Sequence, residues 1–205
     1  EALGLPKSNI WVFPTEDHEE NMRRMFEDPT GADIPAAYLS FPGAKDPDFT
    51  NRYPGKTTVE VVTLVPYSLV AQWEGSRWGR RGDDYDALKA QLSESLLKAL
   101  FDQCPQLRGK VAYQELSTPL TTRHFANFSH GEIYGLEQSP SRFEQRWLRP
   151  KTPIKGLYLT GADVCSAGVA GGLFGGVLTV SSLLLRDMRS ACAKRAKALR
   201  AAAQH

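Results

Sequence analysis

The chain has 205 residues, 41% hydrophobic and 23% charged, with 17 Gly and 13 Pro. That composition excludes collagen, a coiled coil and a mostly disordered polymer, and the length suits one large domain or two small ones. A formal net charge of +2 is too balanced for a nucleic-acid binder, which carries a strongly basic face.

The chain opens Glu1-Ala2-Leu3-Gly4, without Met. It reads as a processed product or a piece of something longer. Ile10 to Phe13 is a short β-type run that Pro14 ends. Asp17 to Asp28 is acidic, with Met22, Met25 and Phe26 at helical spacing. Ala36 to Phe41 is a second apolar run, closed by Pro42-Gly43, and Asp46 to Gly55 is turn chemistry. Thr57 to Tyr67 has the strongest strand pattern. Both its faces are apolar, which predicts a central strand covered on two sides. Asp83 to Cys104 predicts a long helix: Tyr85, Leu88, Leu92, Leu96 and Leu100 share one face, and Pro105 stops it.

Val111 to Leu116 is a further strand candidate. Thr118 to Pro140 reads as a long connection with short elements, holding His124 and His130. Leu136 to Trp147 is a polar helix or an ordered loop. Three cysteines, Cys104, Cys165 and Cys192, are widely spaced and show no zinc or disulfide pattern, so no metal is expected and free thiols are. No Ser-His-Asp set has a nucleophile-elbow context.

The most informative stretch is Leu157 to Leu185. A strand, Leu157-Tyr158-Leu159-Thr160, runs into Gly161-Ala162-Asp163, then an uncharged segment with Gly168, Gly171, Gly172, Gly175 and Gly176. A transmembrane helix is one reading, given its length and its small-xxx-small pairs. A buried helix of an α/β protein is the other, since a strand enters directly. A Gly turn at a helix start offers free N–H groups and partial positive charge to a ligand. Tight helix packing explains the same glycines, and the residues alone leave packing and ligand binding open.

Gly156 to Asp163, followed by Gly168-Val169-Ala170-Gly171, resembles the C-terminal flavin motif of the phytoene desaturase, carotenoid isomerase and retinol saturase family. Ser40-Phe41-Pro42-Gly43-Ala44-Lys45-Asp46-Pro47 is similar to a substrate-domain motif of that family. So are Ser117-Thr118-Pro119-Leu120-Thr121 and Gly131-Glu132-Ile133-Tyr134-Gly135. Pro150 to Ile154 resembles the usual lead-in to the last strand.

The resemblance implies an FAD-dependent oxidoreductase that exchanges a hydride between flavin N5 and a polyene or other apolar, lipid-like substrate. It implies an α/β chain: a substrate-side domain with a mixed sheet over 1–150, and the last strand and helix of a Rossmann-like domain over 151–189. A basic Ala-rich tail follows over 190–205. Gly161, Ala162 and Asp163 would face the ribityl–pyrophosphate region of FAD. Gly168, Val169, Ala170 and Gly171 would approach the isoalloxazine ring, where oriented N–H groups favour the negative charge of reduced flavin. His130 and Tyr134 are the candidates for catalysis.

The family's Gly-x-Gly-x-x-Gly fingerprint is not in this sequence, and Gly79-Arg80-Arg81-Gly82 is no substitute. The chain thus reads as a C-terminal portion that needs an N-terminal FAD-binding half as partner and holds FAD weakly or not at all alone. A non-catalytic binding module reusing half of the fold is the alternative. Exposed apolar surface on the Rossmann-facing helix predicts self-association into a homo-oligomer. The expected location is cytoplasmic. Lys and Arg of the tail from Arg186 suit a helix C-terminus, and a peripheral membrane contact is the sharper reading of the same residues.

Overall fold

A computed structural model describes residues 3–31 and 33–203. Glu1, Ala2, Ala32 and the last two tail residues, Gln204 and His205, lie outside the described residues. The chain divides into two compact units, Glu1–Gly131 and Glu132–His205.

The first unit carries β1 (Ile10–Val12), α1 (His18–Glu27), β2 (Ala37–Ser40), α2 (Pro42–Lys45), α3 (Phe49–Arg52), β3 (Glu60–Val62), α4 (Asp83–Gln103) and α5 (Pro119–Ala126). The three strands form one antiparallel sheet in the order β1-β2-β3, with Leu39 opposite Ile10 and Val61. Helix and sheet therefore coexist as expected, but this sheet is antiparallel throughout where a mixed one was expected. The strongest strand pattern is also misplaced in the expectation. β3 is short and lies at the edge, and Val62 and Leu64 on its second face are 43% and 56% exposed. The central strand is β2, whose residues are mostly buried. Apolar residues on both faces of a strand report cover only when layers exist to supply it. Val111 to Leu116 likewise pairs with no strand among the described residues; its side chains are largely exposed.

α4 is the spine of this unit. Tyr85, Leu88, Leu92, Leu96 and Leu100 form its buried face. Leu96 and Leu100 pack with Met25, Leu39 and Phe41, while Tyr85, Leu88 and Leu92 pack with Val70 and Leu120. Asp83, Asp84 and Asp86 sit in its first turn, where the helix dipole favours carboxylates. At the far end the Cys104 N–H donates to the Leu100 carbonyl at 2.8 Å, and Pro105 follows. Burial pushes the Cys104 thiol up.

Two of the sequence motifs turn out to be structural punctuation. In Ser117 to Thr121, Thr118 caps α5: it takes part in a capping box with Thr121, and Leu120 enters the core. The Thr118 hydroxyl also lies 2.6 Å from the Tyr85 hydroxyl, so the cap is tied to α4. In Ser40 to Pro47, Phe41 is fully buried and Lys45 Nζ donates to Ser40 Oγ at 2.9 Å.

The second unit carries α6 (Pro140–Phe143), α7 (Gly168–Leu184) and α8 (Met188–Ala202). The expected strand Leu157–Thr160 is reduced to an isolated antiparallel bridge between Tyr158 and Lys151. Leu157 and Leu159 remain exposed beside it, and no strand among the described residues covers this segment. The tail is not a straight continuation of α7. The two helices bend by 117° at a break where Leu185 adopts a left-handed φ of 50°. Asp187 then caps α8, accepting from the backbone N–H of Arg189 at 3.1 Å and of Ser190 at 3.3 Å. Among the described residues no single helix is long and apolar enough to cross a membrane.

The Ser190 hydroxyl and backbone hold the Asp187 carboxyl below its ordinary value. A depressed carboxylate contributes stability above its unfolded-state pKa, about 4, and loses it as the pH falls through the folded value. The helical signal of α8 is therefore expected to hold above that pH and to fade on acidification. An acid titration by circular dichroism checks this: the Asp187→Asn chain should lack that limb of the titration.

Candidate functional site

The segment from Pro150 to Leu184 is built as strand-like lead-in, glycine turn and helix. Leu159 N–H donates to the Pro150 carbonyl at 2.8 Å, and the Thr152 hydroxyl to the Leu157 carbonyl at 2.8 Å. The Thr179 hydroxyl of α7 reaches back to the Leu159 carbonyl at 2.8 Å, which fixes the helix against the lead-in. Between them, Ala162–Val164 make one short helical turn.

The α7 glycines fall into two sets. A Cβ on Gly171 would run into the Ser166 carbonyl and stand 2.9 Å from the Ser166 hydroxyl. A Cβ on Gly175 would run into the backbone of Gly161, with its carbonyl carbon 2.8 Å away. These two glycines let the helix lie directly on the turn that precedes it. Gly168, Gly172 and Gly176 have nothing within 4 Å of such a Cβ. They belong to an open face that also carries Val169, 93% exposed, along with exposed Leu173. Packing thus accounts for Gly171 and Gly175, while Gly168, Gly172 and Gly176 lie on an open side of the same helix.

The helix start is chemically available. Ala167, at the cap position, has no side-chain acceptor to offer the first N–H groups. Gly168, Val169 and Ala170 are exposed and Gly171 is buried. Gly161, Ala162 and Asp163 are each half-buried. Asp163 Oδ1 accepts the Leu136 N–H at 2.9 Å, so one of its oxygens already serves the fold. This contact explains Gly135 in the Gly131 to Gly135 motif. Its φ is +71°, and a Cβ there would collide with that same Asp163 oxygen.

The structure adds two residues that the sequence reading passed over. Arg142 Nη2 donates to the Ala162 carbonyl at 3.0 Å and to the Asp163 carbonyl at 2.9 Å. Gln138 Oε1 accepts the Ala167 N–H at 3.2 Å. Both sit in a polar stretch with no periodic signal, so nothing in the sequence marks them.

His130 and Tyr134 fall in different units. The His130 ring meets Tyr67 edge-on, 5.3 Å between centroids, and Tyr134 is exposed. His124 stacks on Trp78 at 5.6 Å. Among the described residues no group of three His, Cys, Asp or Glu side chains is placed to hold a metal ion.

Known domain families give no match to this chain, and solved structures give none. Curated proteins do. The chain is 32% identical to all-trans-retinol 13,14-reductase of Homo sapiens over 196 residues, 93% of this chain and 32% of that protein. It is 32% identical over 192 residues to an inactive all-trans-retinol 13,14-reductase of Danio rerio, covering 91% and 32% of the two chains. It is 30% identical over 138 residues to one subunit of the limonene dehydrogenase of Castellaniella defragrans, covering 66% and 24%. The chain therefore spans about a third of the length of the retinol reductases it matches, at 32%. A match along nearly the whole chain agrees with the motifs: the chain is a relative of the all-trans-retinol 13,14-reductases, the retinol saturases, over about a third of their length.

Proposed function

We propose that this chain forms one wall of the flavin site in an FAD-dependent oxidoreductase, as the C-terminal part of an enzyme acting on a polyene or similar apolar substrate. The observation that carries the reading is the open start of α7. Its first N–H groups have no side-chain cap, its outer glycines have no neighbour within 4 Å of a Cβ, and the turn before it is rigidly braced. A flat ring can approach such a face closely, and exposed N–H groups favour negative charge on it. FAD, when bound, supplies the hydride chemistry.

The remaining steps belong to this chain's residues. Gly161 and the half-buried Asp163 belong to the turn, and Gly168, Val169 and Ala170 present the first N–H groups of the helix. The exposed apolar side chains of α7, among them Val169, Leu173 and Phe174, serve to exclude water once covered. The relatives are named for a retinol reduction and for a limonene dehydrogenation. What those names share is redox chemistry on an apolar substrate, and that is the class proposed here.

The remainder of the site, including the dinucleotide fingerprint, comes from polypeptide outside this chain. The test is co-expression of the full chain with a polypeptide carrying a Gly-x-Gly-x-x-Gly Rossmann half from a retinol saturase-like enzyme. A yellow complex with flavin absorption bands is expected. A colourless pair that fails to associate overturns the reading.

A further inference from the structure

Arg142 is 8% exposed. Its Nη2 bridges two consecutive carbonyls, those of Ala162 and Asp163. Its Nε and Nη1 are buried and have no hydrogen-bond partner among the described residues. No ion pair among the described residues includes it. The Phe143 ring lies 5.2 Å from the guanidinium.

Burying a guanidinium against neutral acceptors is costly, and an apolar side chain of equal volume would avoid the cost. The charge must therefore give something that filling space does not. Charge-assisted hydrogen bonds are about twice as strong as neutral ones, and here both land on the backbone of one turn. Two further bonds reach the same turn from the same segment: Leu136 N–H to Asp163, and Ala167 N–H to Gln138. Residues 136–142 thus grip residues 162–167 at three points, with Arg142 as the charged one.

We infer that Arg142 is a positioning residue, which locks the Ala162–Asp163 turn into the shape that the α7 start needs to receive its ligand. It acts through the two carbonyls that it holds. The inference rests on the flavin-site reading for its purpose, but the lock itself is independent of any cofactor.

Cys165 lies half-buried inside the gripped loop and reports on its opening. In the full chain carrying Cys192→Ser, the rate at which a thiol reagent labels Cys165 is measured without cofactor; Cys104 is buried. Arg142→Met keeps the volume and removes the charge. It is expected to speed Cys165 labelling roughly tenfold or more, as loss of charge-assisted hydrogen bonds implies. Arg142→Lys is expected to recover part of the protection, since an ammonium can still reach one carbonyl. Gln138→Ala, which removes a single neutral bond, is expected to give a smaller rise. Cys104 protection and helical content should not change, which separates loop opening from unfolding.

An unchanged rate in Arg142→Met overturns the lock. So does an Arg142→Lys rate equal to that of Arg142→Met, because the side chain would then serve only as filler. Flavin retention of the same variants in the co-expressed complex is the second readout. A raised Cys165 rate with undiminished flavin retention leaves the lock standing and overturns its role at the flavin site.

Discussion

Alanine at Gly171 or Gly175 is expected to destabilise the second unit by roughly 1–3 kcal/mol, the usual cost of forcing atoms into a closed contact. Alanine at Gly172 or Gly176 on the same helix is expected to stabilise the isolated chain by up to about 1 kcal/mol, because alanine favours the helix. The four positions differ in what faces them. A methyl at Gly171 meets the Ser166 carbonyl and one at Gly175 meets the Gly161 backbone, whereas nothing lies within 4 Å at Gly172 and Gly176. The backbone of the loop cannot swing aside like the tip of a long side chain, so the collision moves either the turn or the helix. Chemical denaturation followed by circular dichroism reads the two signs, and Cys165 labelling should rise only for the Gly171 and Gly175 variants. The open-face variants carry a second expectation. If Gly172 faces a ligand or partner in the assembled enzyme, alanine there weakens flavin retention while it strengthens the chain alone. Equal effects at all four positions would remove the division between packing and access.

Phe41→Ala is expected to cost about 3–5 kcal/mol, the range for deleting a buried aromatic ring. A small domain has about 5–15 kcal/mol of total stability, so the first unit would be left close to unfolding. Phe41 is fully buried against Met25, Leu39 and the Leu96–Leu100 stretch of α4. Urea denaturation of the first unit, read by the exposure of Cys104 to a thiol reagent, measures the loss. Lys45→Ala, in the same motif, removes an exposed hydrogen bond to Asn9 and a part-buried one to Ser40 and is expected to cost about 1 kcal/mol. The contrast shows that Phe41 holds its place in the Ser40 to Pro47 motif by packing.

The long helix α4 was legible because its period is long and its signals agree. Five apolar residues keep helical spacing, acidic residues open it and a proline closes it. The short strand β1 was legible as a β-type run that Pro14 ends, whereas β2 showed only as an apolar run before Pro42-Gly43. Thr57 to Tyr67 and Val111 to Leu116 misled because strand pattern reports fitness for cover without saying whether cover exists. Leu157 to Thr160 shows the same gap: the run is apolar, yet only Tyr158 bridges a neighbour. At the candidate site, the glycines could be read from spacing, but their division into packed and open sets could not. It depends on which backbone folds back onto each one, as Gly161 does onto Gly175. Arg142 was invisible because its partners are carbonyls, which every residue possesses and no sequence displays.

The left-handed Leu185 also sets a ruler. α7 has 17 residues before the break. At about 1.5 Å per residue that is roughly 26 Å of helix, against roughly 30 Å for the hydrocarbon thickness of a bilayer. One residue with φ of 50° therefore fixes how far the uncharged stretch can reach in a straight line. The cations of α8 are turned off that line by 117°. Straightening the elbow would produce a rod long enough to span, but with five basic side chains, Arg189, Lys194, Arg195, Lys197 and Arg200, along its second half.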